Sequence, residues 1–178
     1  VTTAVLGSCG VGFAPVRPQD HDRLIRLMEG VEDIPGSALA EGITWGWESF
    51  SEYMDVIDSI PHTIDLCAQV PHDALRVYVM GDRALHDEPA TADDIATMQA
   101  LLVQALDAGA FGFTTGRSDN HRSAEGLPTP ASEAHRDELV GLARAFEGRS
   151  RGVLQFVNDF NILDGDDQFD REWALVEA

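Results

Sequence analysis

The stretch that decides the fold reads Val1-Thr-Thr-Ala-Val-Leu-Gly-Ser-Cys9-Gly-Val-Gly-Phe-Ala-Pro15. Its first half is rich in β-branched and other apolar residues, which predicts a buried strand over residues 2–8. The strand ends at a cysteine between glycines, and it therefore delivers a thiol to its carboxyl end. Parallel α/β folds gather their functional groups at that end of the sheet. Cys9 is accordingly a candidate metal ligand or nucleophile, with a buried structural cysteine as the alternative.

Three further strands with accompanying helices follow along the chain. We predict strands at residues 63–70, 110–115 and 152–159, and helices at about 21–30, 49–59, 73–80, 91–108, 132–147 and 166–178. Strands that alternate with helices require right-handed crossovers and a parallel sheet. The pattern predicts an α/β fold with about four parallel β-α units. It is either an open four-stranded sheet or half of a (β/α)8 TIM-type barrel.

Local signals mark several of the predicted helix starts. Ser49 and Thr91 each stand three residues before an acidic residue, which is the spacing of a capping box. Asp20 is predicted to cap the first helix. Between the first two helices, residues 30–47 contain glycines, a proline and two tryptophans, and we expect an irregular excursion that packs its aromatic rings inward.

Charge and cysteine content limit the functional classes. The chain has 12 basic and 31 acidic residues, a formal net charge of −19, which opposes binding to nucleic-acid phosphates. No stretch approaches the roughly 20 apolar residues that span a bilayer, so we expect no membrane partner. The two cysteines cannot build a disulfide framework and sit in apolar runs, which is typical of a cytoplasmic protein.

His72 and Arg76 are the candidate substrate-binding residues. His72 follows the second predicted strand, and Arg76 lies one helical turn beyond it. In a helix the two side chains could face one cleft, with the histidine as a neutral donor and the arginine as a fork for a carboxylate. The alternatives are a hydrogen-bonded structural histidine and an ordinary surface arginine.

Five blocks of the sequence, in order, resemble the N-acyl-D-amino-acid deacylase group of the amidohydrolase superfamily. They read Gly7-Ser-Cys9-Gly-Val-Gly-Phe-Ala-Pro15, Met28-Glu-Gly-Val-Glu-Asp-Ile-Pro-Gly36, Trp45-Gly-Trp-Glu-Ser-Phe-Ser-Glu-Tyr53, Val70-Pro-His72-Asp-Ala-Leu-Arg76 and Gly109-Ala-Phe-Gly-Phe-Thr-Thr-Gly-Arg117. The resemblance implies a zinc hydrolase on a (β/α)8 barrel that cleaves the amide of N-acyl-D-amino acids or related non-peptide C–N bonds. It also implies that Cys9, at the end of the family's second strand, binds zinc, whose water attacks the acyl carbon.

The sequence departs from the family pattern at the other metal ligands. The family's first strand carries a His-x-His or His-x-Asp pair that is absent here. Its fifth strand ends in a metal histidine where this chain has Gln155, Asn158 and Asp159. A catalytic zinc takes about three protein ligands, and this chain supplies one credible candidate.

We therefore expect residues 1–178 to be part of a single amidohydrolase barrel domain, comprising its second to fifth strands with both flanks missing. The expected substrate is a small N-acyl amino acid or related amide, and a homo-oligomer is left open. Two alternatives remain at this stage. One is a non-catalytic α/β fragment that needs a partner chain, and the other is a related cyclic amidohydrolase or deaminase.

Overall fold

The computed structural model describes residues 1–86, 88–158 and 166–178, with the backbone alone for 166–168. The strands are β1 (Thr3–Leu6), β2 (Asp65–Pro71), β3 (Gly112–Arg117) and β4 (Val153–Asn158). The helices are α1 (His21–Glu32), α2 (Gly36–Gly42), α3 (Phe50–Ser59), α4 (His72–Met80), α5 (Asp82–Leu85), α6 (Ala92–Asp107), α7 (Arg136–Ala143) and α8 (Asp166–Val176). None of the helices in these described ranges is long and apolar enough to cross a membrane.

The four strands form a parallel sheet in the order β1-β2-β3-β4, the same as their order in the chain. Thr3 pairs with Asp65, Gln69 with Gly112, and Gly112 with Val153. Sequential parallel neighbours joined by helices are what right-handed β-α-β crossovers produce. The prediction of four parallel β-α units is confirmed, and all four strand carboxyl ends lie at one edge.

The hydrophobic core lies between this sheet and helices α4, α6 and α7. The helices contribute apolar side chains at helical spacing, and β2 and β3 contribute the residues that point toward them. The fully or nearly fully buried members include Val70, Leu75, Val77, Met98, Leu102, Phe113 and Leu142. The core therefore fixes the strand ends from the outer, helix-covered face of the sheet.

Both predicted capping boxes are present. The Ser49 hydroxyl accepts from the Glu52 backbone N–H, and Glu52 accepts from the Ser49 backbone N–H in return. Thr91 and Asp94 make the same reciprocal pair at the start of α6. Each box satisfies backbone donors that the first helical turn leaves unpaired.

Two helix starts differ from the predictions. Asp20 does not cap α1 with its side chain. Its buried carboxylate instead accepts from Arg23 at 2.6 Å, in an arginine–carboxylate pair one turn into the helix. The last long helix before β4 begins at Arg136 and not at Ser132, because the Ser132 backbone and hydroxyl both bond back to Thr129 O and form a turn.

The excursion between α1 and α3 is more regular than expected, since α2 lies within it. Its aromatic residues do pack inward, as predicted. Trp45 contacts Phe13 with an edge-on geometry, and Trp47 contacts Tyr53 in the same way. The Trp47 indole N–H also donates to Phe13 O at 2.8 Å, which ties the excursion to the segment after Cys9.

Candidate active-site corner

Cys9 lies immediately beyond the carboxyl end of β1, in a glycine-rich turn that folds over the neighbouring strand ends. Gly10 has a φ of +86°, and a Cβ on it would lie 2.6 Å from Gly116 N. The backbone N–H of Asp73 donates to Gly10 O at 3.0 Å. Because only glycine tolerates both this conformation and this approach, the sequence Gly-Ser-Cys-Gly sets Cys9 against the ends of β2 and β3.

The surroundings of the Cys9 thiol are negatively charged. Its Sγ lies 4.0 Å from Glu32 Oε1, at the last residue of α1. Burial is the largest cause that raises the pKa of this thiol, and the charges of Glu32 and Asp73 raise it further against an opposing hydrogen bond at Val11. The thiol is therefore neutral at neutral pH when no cation is near. Negative surroundings of this kind favour a bound cation.

Cys9 is a single candidate metal ligand. Among the described residues, no group of three or more His, Cys, Asp or Glu side chains is placed to hold a metal ion. The chemistry of Cys9 fits a zinc ligand, but a catalytic zinc takes about three protein ligands. Asp159, one of the residues that stand where the family has a metal histidine, lies outside the described residues.

His72 and Arg76 meet in the protein interior, where they share the carboxylate of Glu138. The exposed fractions of the three side chains are 0%, 1% and 1%. Glu138 Oε1 lies 2.9 Å from His72 Nε2 and 3.3 Å from Arg76 Nε. Arg76 also donates to Pro130 O at 2.5 Å and to Glu88 O at 2.7 Å. The surface-arginine alternative is wrong, because all these partners hold the guanidinium inside.

The hydrogen bonds of His72 define its tautomer. A carboxylate only accepts, so Nε2 carries the proton and donates to Glu138, and Nδ1 accepts from the Thr115 hydroxyl at 2.8 Å. Burial is the largest cause that lowers the pKa of His72, and the ring is neutral. Burial alone would raise the pKa of Glu138, but His72 and Arg76 lower it overall. The charged pair in this cluster is therefore Arg76 with Glu138.

This placement bears on the predicted substrate-binding role of His72 and Arg76. The two side chains lie on the same face of α4, as the spacing suggested, and they are occupied by protein partners. Asp73, between them in sequence, accepts from Ala131 N at 2.6 Å and fastens the same 129–131 segment. The substrate-binding role stays a prediction.

A second buried ion pair joins the ends of β3 and β4 to α8. Arg117 donates from Nε to Glu172 at 2.6 Å and from an NH2 nitrogen at 3.0 Å, which is the bidentate geometry that arginine favours. Asn158, the last residue of β4, donates to the same carboxylate at 2.6 Å. Burial alone would raise the pKa of Glu172, but Arg117 outweighs it and the pKa is lowered.

Gln155 connects β4 to the Cys9 turn. Its Nε2 donates to Ser8 O at 2.5 Å, and its Oε1 accepts from Gln69 Nε2 at 2.6 Å. Gln69 is 3% exposed. β4 corresponds to the family strand that ends in a metal histidine. In this chain its Gln155 amide bonds to the residue before Cys9.

The sequence interpretation did not single out Glu138 or Glu172, the acceptors of the two buried arginines. Glu138 lies four residues before buried Leu142, on the apolar face of α7. An acidic residue within an apolar helical stripe was the available signal that it needs a buried partner. The partner itself was not readable, since His72 is 66 residues away.

Comparison with known proteins shows which class of protein this chain is similar to. No protein-family model matches the chain. It is 30% identical over 144 residues to D-aminoacylase of Alcaligenes xylosoxydans xylosoxydans, an alignment that covers 81% of this chain and 25% of the relative. The crystal structure of D-aminoacylase, which defines a subset of amidohydrolases, superposes with a TM-score of 0.63 at 27% identity, over 100% of this chain and 33% of that one.

A third similar protein has a structure with bound zinc. N-acyl-D-glutamate deacylase from Bordetella bronchiseptica, complexed with zinc and a phosphonate inhibitor, superposes with a TM-score of 0.64 at 27% identity, over 98% of this chain and 32% of that one. The chain therefore has the fold of part of an amidohydrolase, and its four strands form a half-barrel. The chain is similar to N-acyl-D-amino-acid deacylases over most of its length, so the predicted resemblance is confirmed. It spans about a quarter of the length of its D-aminoacylase relative.

Proposed function

We propose that this chain is part of a metal-dependent hydrolase that removes the acyl group from N-acyl-D-amino acids. The observation that carries the proposal is the position of Cys9 at a strand's carboxyl end, in a chain related to D-aminoacylase over 81% of its length. Residues 1–178 would form part of one barrel domain, with further metal ligands supplied from outside this segment. Small N-acyl amino acids are the proposed substrates.

In this proposal Cys9 is a zinc ligand. Zinc accepts thiolate sulfur readily, and when bound it lowers the pKa of a coordinated water to about 7. The contribution of this chain is to hold the thiol in a fixed turn beside Glu32, where a cation is favoured. The buried His72, Arg76 and Glu138 cluster would support the neighbouring loop, and direct substrate contact by His72 and Arg76 remains part of the proposal.

Metal binding by Cys9 can be tested on a polypeptide that carries the whole barrel, with Co²⁺ as a spectroscopic replacement for zinc. We expect a thiolate-to-cobalt absorption band in the near ultraviolet for the unmodified chain, and we expect Cys9→Ser to lose it. Cys67→Ser is the matched control, because Cys67 lies within β2 and pairs with Val5. A band that survives in Cys9→Ser and disappears in Cys67→Ser would refute the assignment of the ligand.

Hydrolysis is tested in two arms. For the 178-residue chain alone we expect no turnover of N-acetyl-D-amino acids and less than one zinc per chain; stoichiometric zinc with turnover would refute its being part of a larger site. For a polypeptide that carries the whole barrel we expect release of free D-amino acids, with the L-enantiomers as controls. A zinc-loaded barrel that hydrolyses neither enantiomer would refute the proposed activity.

A second candidate function is a non-catalytic module that associates with a partner chain. The observation in its favour is apolar exposure on the two outer strands of the described sheet, where Val5, Val153 and Leu154 are 42%, 39% and 45% exposed. Light scattering coupled to size-exclusion chromatography tests it. A monomer at all concentrations would count against association, including the homo-oligomer that the sequence left open.

A cytoplasmic location, expected from the two free cysteines, stays a prediction.

A further inference from the structure

We propose that Gln155 is a positioning residue for Cys9, which it holds through a relay of side-chain amides that begins at Gln69. The relay runs from Gln69 Nε2 to Gln155 Oε1 at 2.6 Å and from Gln155 Nε2 to Ser8 O at 2.5 Å. Ser8 is bonded directly to Cys9. This inference rests on the proposed function, because the position of the Cys9 thiol matters to function only if Cys9 is a metal ligand.

The sheet register allows the two glutamines to meet. Gln69 on β2 pairs with Gly112 on β3, and Gln155 on β4 pairs with Thr114, two residues further along β3. Residues paired in this way point to the same face of the sheet. Gly112 has no side chain, and a Cβ on it would overlap Val153 O, so no side chain at this position stands between the two glutamines. The longer amide side chains can therefore bridge from β2 to β4.

The direction of the relay is fixed by chemistry. A backbone carbonyl only accepts, so the nitrogen of the Gln155 amide must face Ser8 and its oxygen must face Gln69. Gln69 then presents its own nitrogen to that oxygen. The Gln155 amide therefore links Gln69 to the Cys9 turn.

The consequence is that the backbone is held at the residues before and after Cys9. Gln155 fixes the Ser8 carbonyl, which belongs to the peptide that leads into Cys9. Asp73 N–H fixes the Gly10 carbonyl at 3.0 Å, one residue after it. With both neighbours held, the thiol has a preset direction before any cation arrives, which lowers the entropic cost of ligation.

The test is the rate at which Cys9 is alkylated in the metal-free chain, measured by mass spectrometry for each cysteine peptide. Gln155→Glu keeps the acceptor toward Gln69 and loses the donor toward Ser8. Gln155→Met keeps the volume and loses both bonds. We expect each variant to alkylate Cys9 roughly fivefold faster, the factor that loss of one hydrogen bond gives in a local opening equilibrium. Cys67 serves as an internal reference, and Gln104→Glu, at an exposed position of α6, is the control for added charge.

Unchanged Cys9 alkylation in folded Gln155→Glu and Gln155→Met would overturn the proposal. If both variants unfold, nuclear Overhauser effects in the unmodified chain decide: we expect them between the Gln155 side-chain amide protons and protons of Ser8 or Cys9, and their absence would overturn it. Co²⁺ spectra separate this inference from the proposed function. Faster alkylation of Cys9 together with no cobalt–thiolate band from a polypeptide that carries the whole barrel would keep the relay and refute the metal role of Cys9.

Discussion

Removal of the Glu138 carboxylate should destabilise the chain more than removal of a carboxylate from a surface ion pair. Glu138→Ala leaves Arg76 as a cation with 1% exposure and no counter-charge at Nε, and it leaves the His72 Nε2 proton without an acceptor. Arginine side chains keep their charge in proteins, so the variant retains a buried cation. The cost therefore falls on folding.

The magnitude follows from burial. Breaking a buried pair by removal of one partner costs about 3–5 kcal/mol, since an uncompensated charge remains in the interior. The Arg149–Asp107 pair is the matched control, with an N–O distance of 2.7 Å and exposed fractions of 25% and 65%. For an exposed pair the expected loss is about 0–1 kcal/mol. The Arg149–Asp107 distance is shorter than the 3.3 Å between Arg76 and Glu138, so a larger loss at Glu138 reflects burial and not a closer contact.

Urea unfolding followed by circular dichroism measures both variants. We expect Glu138→Ala to lose about 3–5 kcal/mol of unfolding free energy and Asp107→Ala to lose about 1 kcal/mol or less. The double variant Arg76→Met/Glu138→Leu should lose less than the sum of its single changes, because it removes the stranded charge. Equal losses for Glu138→Ala and Asp107→Ala would refute the view that Glu138 neutralises a buried cation.

Three further predictions concern the same scaffold. Burial raises the pKa of Asp73 from 3.8 to about 7, so the stability that its protonated form contributes is present below about pH 4 and is lost as pH rises to about 7. Asp73→Asn should therefore gain unfolding free energy relative to the unmodified chain across that pH window, as measured by urea titrations. Parallel pH profiles of the two proteins would contradict this. Gly112→Ala should destabilise the fold by several kcal/mol because its Cβ would overlap Val153 O. Gly42→Ala is the control, since the space around Gly42 is open, and it should be neutral or stabilising by up to about 1 kcal/mol. Equal melting temperatures for the two variants would refute the steric argument. Thr91→Ala should cost about 1 kcal/mol in thermal unfolding through loss of the α6 cap, with Thr97→Ala, an exposed threonine within that helix, as the control.

The fold was predictable because its signals are local. Apolar runs placed all four strands to within about two residues, and the spacings at Ser49 and Thr91 gave two helix starts. The position of Cys9 followed from the same logic, since glycines directly after a strand mark its carboxyl end. Asp20 shows the limit of a local signal, because its side chain bonds to Arg23 and does not cap the helix.

The interior of the candidate site was less predictable because its contacts are distant in sequence. His72 reaches Glu138 across 66 residues, Arg117 reaches Glu172 across 55, and Gln155 reaches Ser8 across 147. Spacing along one helix correctly put His72 and Arg76 on one face. The spacing could not show whether this face of α4 lines an open cleft or is buried in the interior, because that depends on which element packs against it.

The charges around Cys9 discriminate between the two chemical roles that its sequence position allowed. A nucleophilic thiolate needs positive surroundings that lower its pKa, such as a helix N-terminus or a neighbouring cation. Here burial, Glu32 and Asp73 raise the pKa instead, while Arg76 and Arg117 are paired with Glu138 and Glu172. A free thiolate is disfavoured in such surroundings, but a thiolate bound to a divalent cation brings its own positive charge. These surroundings therefore favour the proposed metal-ligand role of Cys9 over covalent catalysis by sulfur.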